Sequence, residues 1–212
     1  MKVFVIGGTG RVGASLVRQL LDFDHEVIVG SRHENEELTA AGATFKELDL
    51  HASYDEIAEI IGDVDAIYFT AGSRGKDLLQ SDAFGAVKTM QAAKRNGIKR
   101  YIMLSAYKSL EPTAFEVEPY SQIKEYYMAK YFADYHLVHM PELDYTIMQP
   151  VALVEEKGSH MYATGSDIGK TVAIEDVALA LVHVLENPAT FHKVIPFSNG
   201  KADFGSVITS CQ

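Results

Sequence analysis

Short apolar runs alternate with longer stretches of helical periodicity along the chain. Lys2–Ile6 is a short run stopped by glycine, and its apolar character predicts a strand buried on both faces. Val12–Phe23 follows with apolar residues at Val12, Leu16, Val17, Leu20 and Leu21, the spacing of one helix face. The alternation continues through strand Glu26–Val29, helix Glu34–Ala40, strand Thr44–Glu47, helix Tyr54–Ile61 and strand Ala66–Phe69. A long helix is predicted over Leu78–Arg95, closed by Asn96-Gly97, a residue pair suited to a helix stop. Strand Tyr101–Leu104, helix Tyr120–Val138, strand Tyr145–Met148, helix Ile174–Leu185 and strand Val194–Phe197 complete the pattern. Strands alternating with helices imply a parallel sheet with both faces covered. Such sheets bind ligands at the carboxyl ends of their strands. The loops to inspect begin near Gly7, Gly30, Asp49, Thr70, Ser105 and Pro150.

Composition narrows the function classes. A chain of 212 residues suits a single α/β domain with its own core. Asp and Glu number 29 against 19 Lys and Arg, a formal charge of -10. That argues against a nucleic-acid binder, which needs a basic face, and against docking to anionic membranes. The single cysteine, Cys211, cannot form an internal disulfide and fits a reducing compartment. No targeting signal and no apolar run of transmembrane length is read, so the expected location is the cytoplasm.

The first inter-element loop carries chemistry. Gly7-Gly8-Thr9-Gly10-Arg11-Val12-Gly13 lies between the N-terminal strand and a helix. Gly7 permits the turn out of the strand, Gly10 leaves room for a pyrophosphate, and Gly13 allows close helix packing. The N–H groups at the helix start then face the phosphates. At the end of the second strand an acid would bind the ribose 2′-hydroxyl of NAD, whereas a base would bind the 2′-phosphate of NADP. Here Ser31-Arg32 stands there, with no acid before Glu34. A guanidinium pairs well with phosphate, so NADP is the expected cofactor and NAD the alternative.

These residues and others resemble an atypical short-chain dehydrogenase/reductase. The likeness is greatest to the small NAD(P)H-binding group of NmrA-like and biliverdin/flavin reductase-like proteins. It spans nearly the whole chain. Asp49-Leu50 resembles the pair that contacts adenine, and Thr70-Ala71-Gly72 the loop beside the cofactor ribose. Ser105 matches the serine after the fifth strand, and Tyr126-Tyr-Met-Ala-Lys130, with Asp134 beyond it, matches the family's Tyr-x-x-x-Lys helix. The segment ending at Pro150 is similar to the entry to the substrate region, although Gln149 stands where arginine is usual and Val151 where glycine is common.

The resemblance implies a Rossmann-type doubly wound fold, with the cofactor core in residues 1–150 and a small substrate lobe within 151–212. It implies cofactor contacts from Gly7 to Gly13, from Ser31, Arg32, Asp49, Leu50, Thr70, Ala71 and Gly72, and from Lys130 and Pro150. The implied catalytic set is Ser105, Tyr126 and Lys130. A second pair, Tyr120 and Lys124, has the same spacing and lies closer to Ser105. The two lysines would point about 120° apart on one helix, so only one can serve the nicotinamide. The histidines show no zinc-type spacing and no serine sits in a nucleophile elbow, so neither a metal site nor a hydrolase is expected.

Three functions follow as expectations. The first is an NADP-dependent oxidoreductase acting on a small quinone, flavin or carbonyl. The second is an NADP(H)-binding redox sensor that signals through a regulatory protein partner. The third is an epimerase or dehydratase with tightly held NAD, which the missing acid after the second strand disfavours.

Overall fold

The computed structural model describes residues 1–210; the cysteine discussed above, Cys211, lies outside them. The strands are β1 (Lys2–Ile6), β2 (Glu26–Ser31), β3 (Thr44–Glu47), β4 (Ala66–Phe69), β5 (Arg100–Leu104), β6 (Asp144–Pro150), β7 (Ala152–Val154), β8 (Tyr162–Ala163), β9 (Thr171–Ala173) and β10 (Lys193–Asn199). The helices are α1 (Arg11–Asp22), α2 (Glu36–Ala40), α3 (Tyr54–Ile61), α4 (Ala86–Asn96), α5 (Lys124–Val138), α6 (Ile174–Val184) and α7 (Phe204–Ser210).

Eight strands form one sheet in the order β3-β2-β1-β4-β5-β6-β10-β8. All its pairings are parallel except that of β8 on the edge, which runs antiparallel to β10. The order reverses between β1 and β4, which opens a crevice at their carboxyl ends. This is the Rossmann-like α/β fold that the alternation predicts. Successive strand residues divide between two cores. Val3, Val5, Ala66 and Tyr68 pack with α1 and α6, whereas Phe4, Ile6, Ile67 and Phe69 pack with α3, α4 and α5. Burial on both faces is why these strands read as unbroken apolar runs.

Two predicted helices are divided. The stretch over 78–95 starts as a π-helical segment, Leu78–Gly85, and becomes α-helical only from Ala86. A π turn holds one more residue than an α turn, so the register shifts. Asp82 is buried there while Leu79 is 71% exposed. The stretch over 120–138 starts with a 3-10 turn, Tyr120–Ile123, before α5. The short strands β7, β8 and β9 lack a run long enough to be legible in sequence.

Beyond β6, the chain is held down by Asp176 at the start of α6. Its carboxylate accepts from Ser159 N at 2.9 Å and His160 N at 2.8 Å. A third, small core joins Ala106, Ala114, Phe115 and Tyr127 above the sheet edge, with Tyr120, Tyr126 and Tyr131 against it. Among the described residues, no helix is long and apolar enough to cross a membrane.

Candidate cofactor and active site

The glycine loop is shaped for a close approach of backbone to backbone. Gly7 has φ +77°, and a Cβ there would lie 2.5 Å from Ala71 Cα. A Cβ on Gly13 would lie 2.3 Å from Gly7 O. These contacts seat α1 against β1 and the loop after β4. Gly10 is different: its Cβ would meet only Gly7 O, at 3.2 Å, and the space beyond is open. No side chain caps the N-terminus of α1 at Gly10. Its first-turn N–H groups are therefore available to an anion, and the cradle fits a pyrophosphate. Thr9 and Arg11 are exposed beside it, and Val12 is buried under it. Arg11 reaches Glu155 at 3.3 Å across an open cleft of about 650 Å³, which Arg18 and Arg74 also line.

The second-strand end divides its two predicted residues. Ser31 is buried and donates its hydroxyl to His33 O at 2.6 Å, so it serves its own turn. Arg32 is exposed. Asp49 accepts from His51 N at 2.9 Å, and Leu50 packs into the core. His51 in turn pairs with Asp77 at 2.6 Å, joining the loops after β3 and β4. Thr70 donates its hydroxyl to Ile6 O at 2.9 Å, which fixes the loop after β4 at the reversal point of the sheet. Ala71 lies against Gly7, and Gly72 is exposed beyond it.

The two tyrosine–lysine pairs are separated by the break before α5. Lys124 is exposed and bonds Glu116 at 2.7 Å, while the ring of Tyr120 packs edge-on against Tyr127 at 5.2 Å. Lys130 faces inward. It is 4% exposed, donates to Leu104 O at 3.2 Å, and lies 5.9 Å from the ring centre of Tyr126. Ser105, next to Leu104, donates to Asp134 Oδ2 at 2.5 Å, as does Ser109. Gln149 donates to Ser109 Oγ at 2.7 Å, so the neutral amide at this position closes a buried polar chain. The structure thus places Ser105, just after β5, and Tyr126 and Lys130, on the N-terminal half of α5, about Leu104 and leaves Lys124 outside.

Electrostatics in this pocket depart from simple tyrosine activation. Burial first, then the charges of Asp82 and Asp134, hold the Tyr126 phenol above its ordinary range. Burial lowers Lys130, and the same two carboxylates oppose that. Burial raises Asp134 to about 6, against the hydrogen bonds from Ser105 and Ser109. Asp82 and Ser109 carry no signal in the sequence. Asp82 sits in a turn whose period is not helical in the usual sense, and Ser109 reaches the pocket only through the chain's path after β5.

These features, a dinucleotide-type glycine cradle together with a partly buried tyrosine beside a buried lysine, are those of an atypical short-chain dehydrogenase/reductase. Residues 7–188 match the NAD(P)H-binding family, and the chain belongs to that family. Among its relatives is the Bacillus subtilis protein named "Uncharacterized sugar epimerase YhfK", 35% identical over 94% of this chain and 95% of that protein. A UPF0659 protein of Saccharomyces cerevisiae is 32% identical over 99% of this chain and 98% of its own. The solved oxidoreductase YlbE of Lactococcus lactis superposes with a TM-score of 0.91 at 35% identity, over 99% of this chain and 96% of that one.

Proposed function

We propose that the protein is an NADP-dependent reductase acting on a small organic acceptor, such as a quinone, a flavin or a carbonyl compound. The observation that carries this reading is the inward placement of Lys130 beside Tyr126; the uncapped start of α1 at Gly10 supports it. The N–H groups after Gly10 would hold the pyrophosphate, Arg32 the 2′-phosphate, and Asp49 and Leu50 the adenosine end. Lys130 would hold the nicotinamide ribose. The bound cofactor supplies a hydride, two electrons with one proton.

The chain's own part is orientation and one further proton. A phenol held high is a poor base but a competent hydrogen-bond donor, so Tyr126 would present its proton to an acceptor oxygen. For a carbonyl, hydride on carbon and this proton on oxygen give the alcohol, and Tyr126 regains its proton from water. Quinones and flavins that take protons from solvent need only alignment.

The test mixes purified protein with NADPH and a panel of quinones, flavins and aldehydes. NADPH oxidation with one class is expected. Tight NADPH binding without oxidation of any acceptor would overturn the reading in favour of a sensor with a protein partner.

A second reading, epimerisation with a retained NAD, is favoured by the name of the Bacillus relative. It requires cofactor to remain bound through purification, which the absorbance spectrum of the fresh protein checks. The Ser31-Arg32 sequence after β2 speaks against it.

A further inference from the structure

Asp82 is 1% exposed, inside the π-helical segment that packs against α5. One carboxylate oxygen, Oδ2, accepts from Ser73 N at 2.9 Å. The other, Oδ1, is buried with no hydrogen-bond partner among the described residues. It faces the turn after β4: a Cβ on Gly72 would sit 3.7 Å from it. A buried carboxylate with an idle oxygen is costly unless a cation compensates it.

Of the other cations near this segment, one is bonded elsewhere and two are exposed to solvent. Lys88 donates to Ala52 O at 2.8 Å and faces Asp49, and Lys76 and Arg74 are exposed. Lys130 is the buried cation on the packing helix, and among the described residues one carbonyl, Leu104 O, is the only hydrogen-bond partner of its three-donor ammonium. The groups that face this ammonium are Asp82 from the π segment, Asp134 and Tyr126 from α5 itself, and Leu104 O from β5. Asp134 accepts both serine hydroxyls on Oδ2, while its Oδ1, like that of Asp82, has no hydrogen-bond partner among the described residues.

We propose that Asp82 is the positioning counter-ion of Lys130, holding that ammonium in register with the Gly72-Ser73 turn that flanks the cofactor crevice. Asp82 and Lys130 are not directly hydrogen-bonded, so they act on each other through space in a dry interior, where charges interact strongly. The role rests on the reading that Lys130 serves the cofactor, and it adds a residue from a different element.

The test is a thermal double-mutant cycle with a binding measurement beside it. Asp82→Asn and Lys130→Met should each lower Tm, because each leaves a buried charge unmatched. In the Lys130→Met background, Asp82→Asn should regain roughly 3 °C or more instead of losing further. Losses that add across the pair would overturn the proposal. Should Asp82→Asn alone fail to fold, folding of the double variant supports the proposal and failure of both overturns it.

In NADPH titrations, Asp82→Asn should bind close to wild type at pH 6 and about tenfold more weakly at pH 9. Removal of the carboxylate lets the ammonium lose its proton at lower pH. A pH-independent loss would mean a purely structural role and overturn the proposal. If Lys130→Met binds NADPH like wild type, the reading of Lys130 at the cofactor fails, whereas the thermal cycle still judges the pairing.

Discussion

Tyr126 and Tyr120 share a spacing to lysine but not an environment. Tyr126 lies against Lys130 and two buried carboxylates, whereas Tyr120 packs on Tyr127 with Lys124 drawn to Glu116. Tyr126→Phe should therefore lower turnover of a carbonyl acceptor by about 10²–10⁴, the range for loss of a positioned proton donor. Tyr120→Phe should leave it within a few-fold. Steady-state kcat for both variants decides this, and equal effects would remove the distinction. Asp134 gives a stability prediction of definite sign. Burial pushes its carboxyl up to about 6 in the fold, against an ordinary 3.8. Between those values the native state holds a proton that the unfolded chain has released. Stability from this group is thus full below about pH 4, falls as pH rises through 6, and stays lost above, by about 3 kcal/mol. Asp134→Asn keeps an acceptor for the two serine hydroxyls and abolishes the titration. Urea unfolding should show the variant gaining on wild type as pH rises from 4 to 7. A constant difference across that range would mean that Asp134 does not titrate there.

At the scale of elements, the glycine loop separates folding from binding. Gly13→Ala forces a methyl to 2.3 Å from Gly7 O, backbone against backbone, and should cost about 3 kcal/mol, the upper end for overpacking. Gly10→Ala meets only one atom, at 3.2 Å, and should fold with little loss. Its methyl would occupy the phosphate space, so NADPH affinity should fall instead. Denaturant midpoints and NADPH titrations on the two variants distinguish these cases; a large stability loss in Gly10→Ala would contradict the assignment. The same scale shows what was legible in the sequence. The strands β1, β2, β4, β5 and β6 are legible because burial on both faces makes them largely apolar runs, whereas β3 and β10 are only partly buried and are marked mainly by their place in the alternation. The helix α1 read correctly because its one apolar stripe has a simple period. The stretch over 78–95 did not, because Leu78–Gly85 winds as a π-helix and turns Asp82 inward where an α-helical period gives no such cue. The break at Tyr120–Ile123 also escaped notice, and it is what parts the two tyrosine–lysine pairs. The hydrogen bond from Ser105 to Asp134 is not legible in the sequence, because the two lie 29 residues apart, although the acid itself is visible beyond Lys130.

Over the whole molecule, the charge of -10 sets a repulsive background for a polyanionic cofactor. At about 0.1 M salt that background is screened beyond roughly 10 Å, so binding must be decided by groups within reach of the phosphates. In the proposed binding mode the N-terminus of α1 would provide for the pyrophosphate equally in NAD and NADP. Preference between them falls to the end of β2, where Ser31 is occupied by His33 O and Arg32 is exposed. Among the described residues, Arg32 hydrogen-bonds to no other side chain, so pairing with a 2′-phosphate would break no existing bond. A charge-assisted hydrogen bond of this kind contributes about 1.5–3 kcal/mol, a factor of roughly ten to a hundred in affinity. A ligand that binds only the folded state adds stability as RT ln(1 + [L]/Kd), so the preference appears directly in Tm. At equal concentrations NADPH should raise Tm more than NADH in the wild-type protein. Arg32→Glu should abolish the NADPH shift and retain or increase that of NADH, since a carboxylate can accept from the ribose 2′-hydroxyl and repels a phosphate. The substitution lies on an exposed loop, so Tm without ligand should stay within about 1 °C. Equal shifts by both cofactors in the wild type would remove Arg32 from the site and make the glycine loop the whole of the recognition.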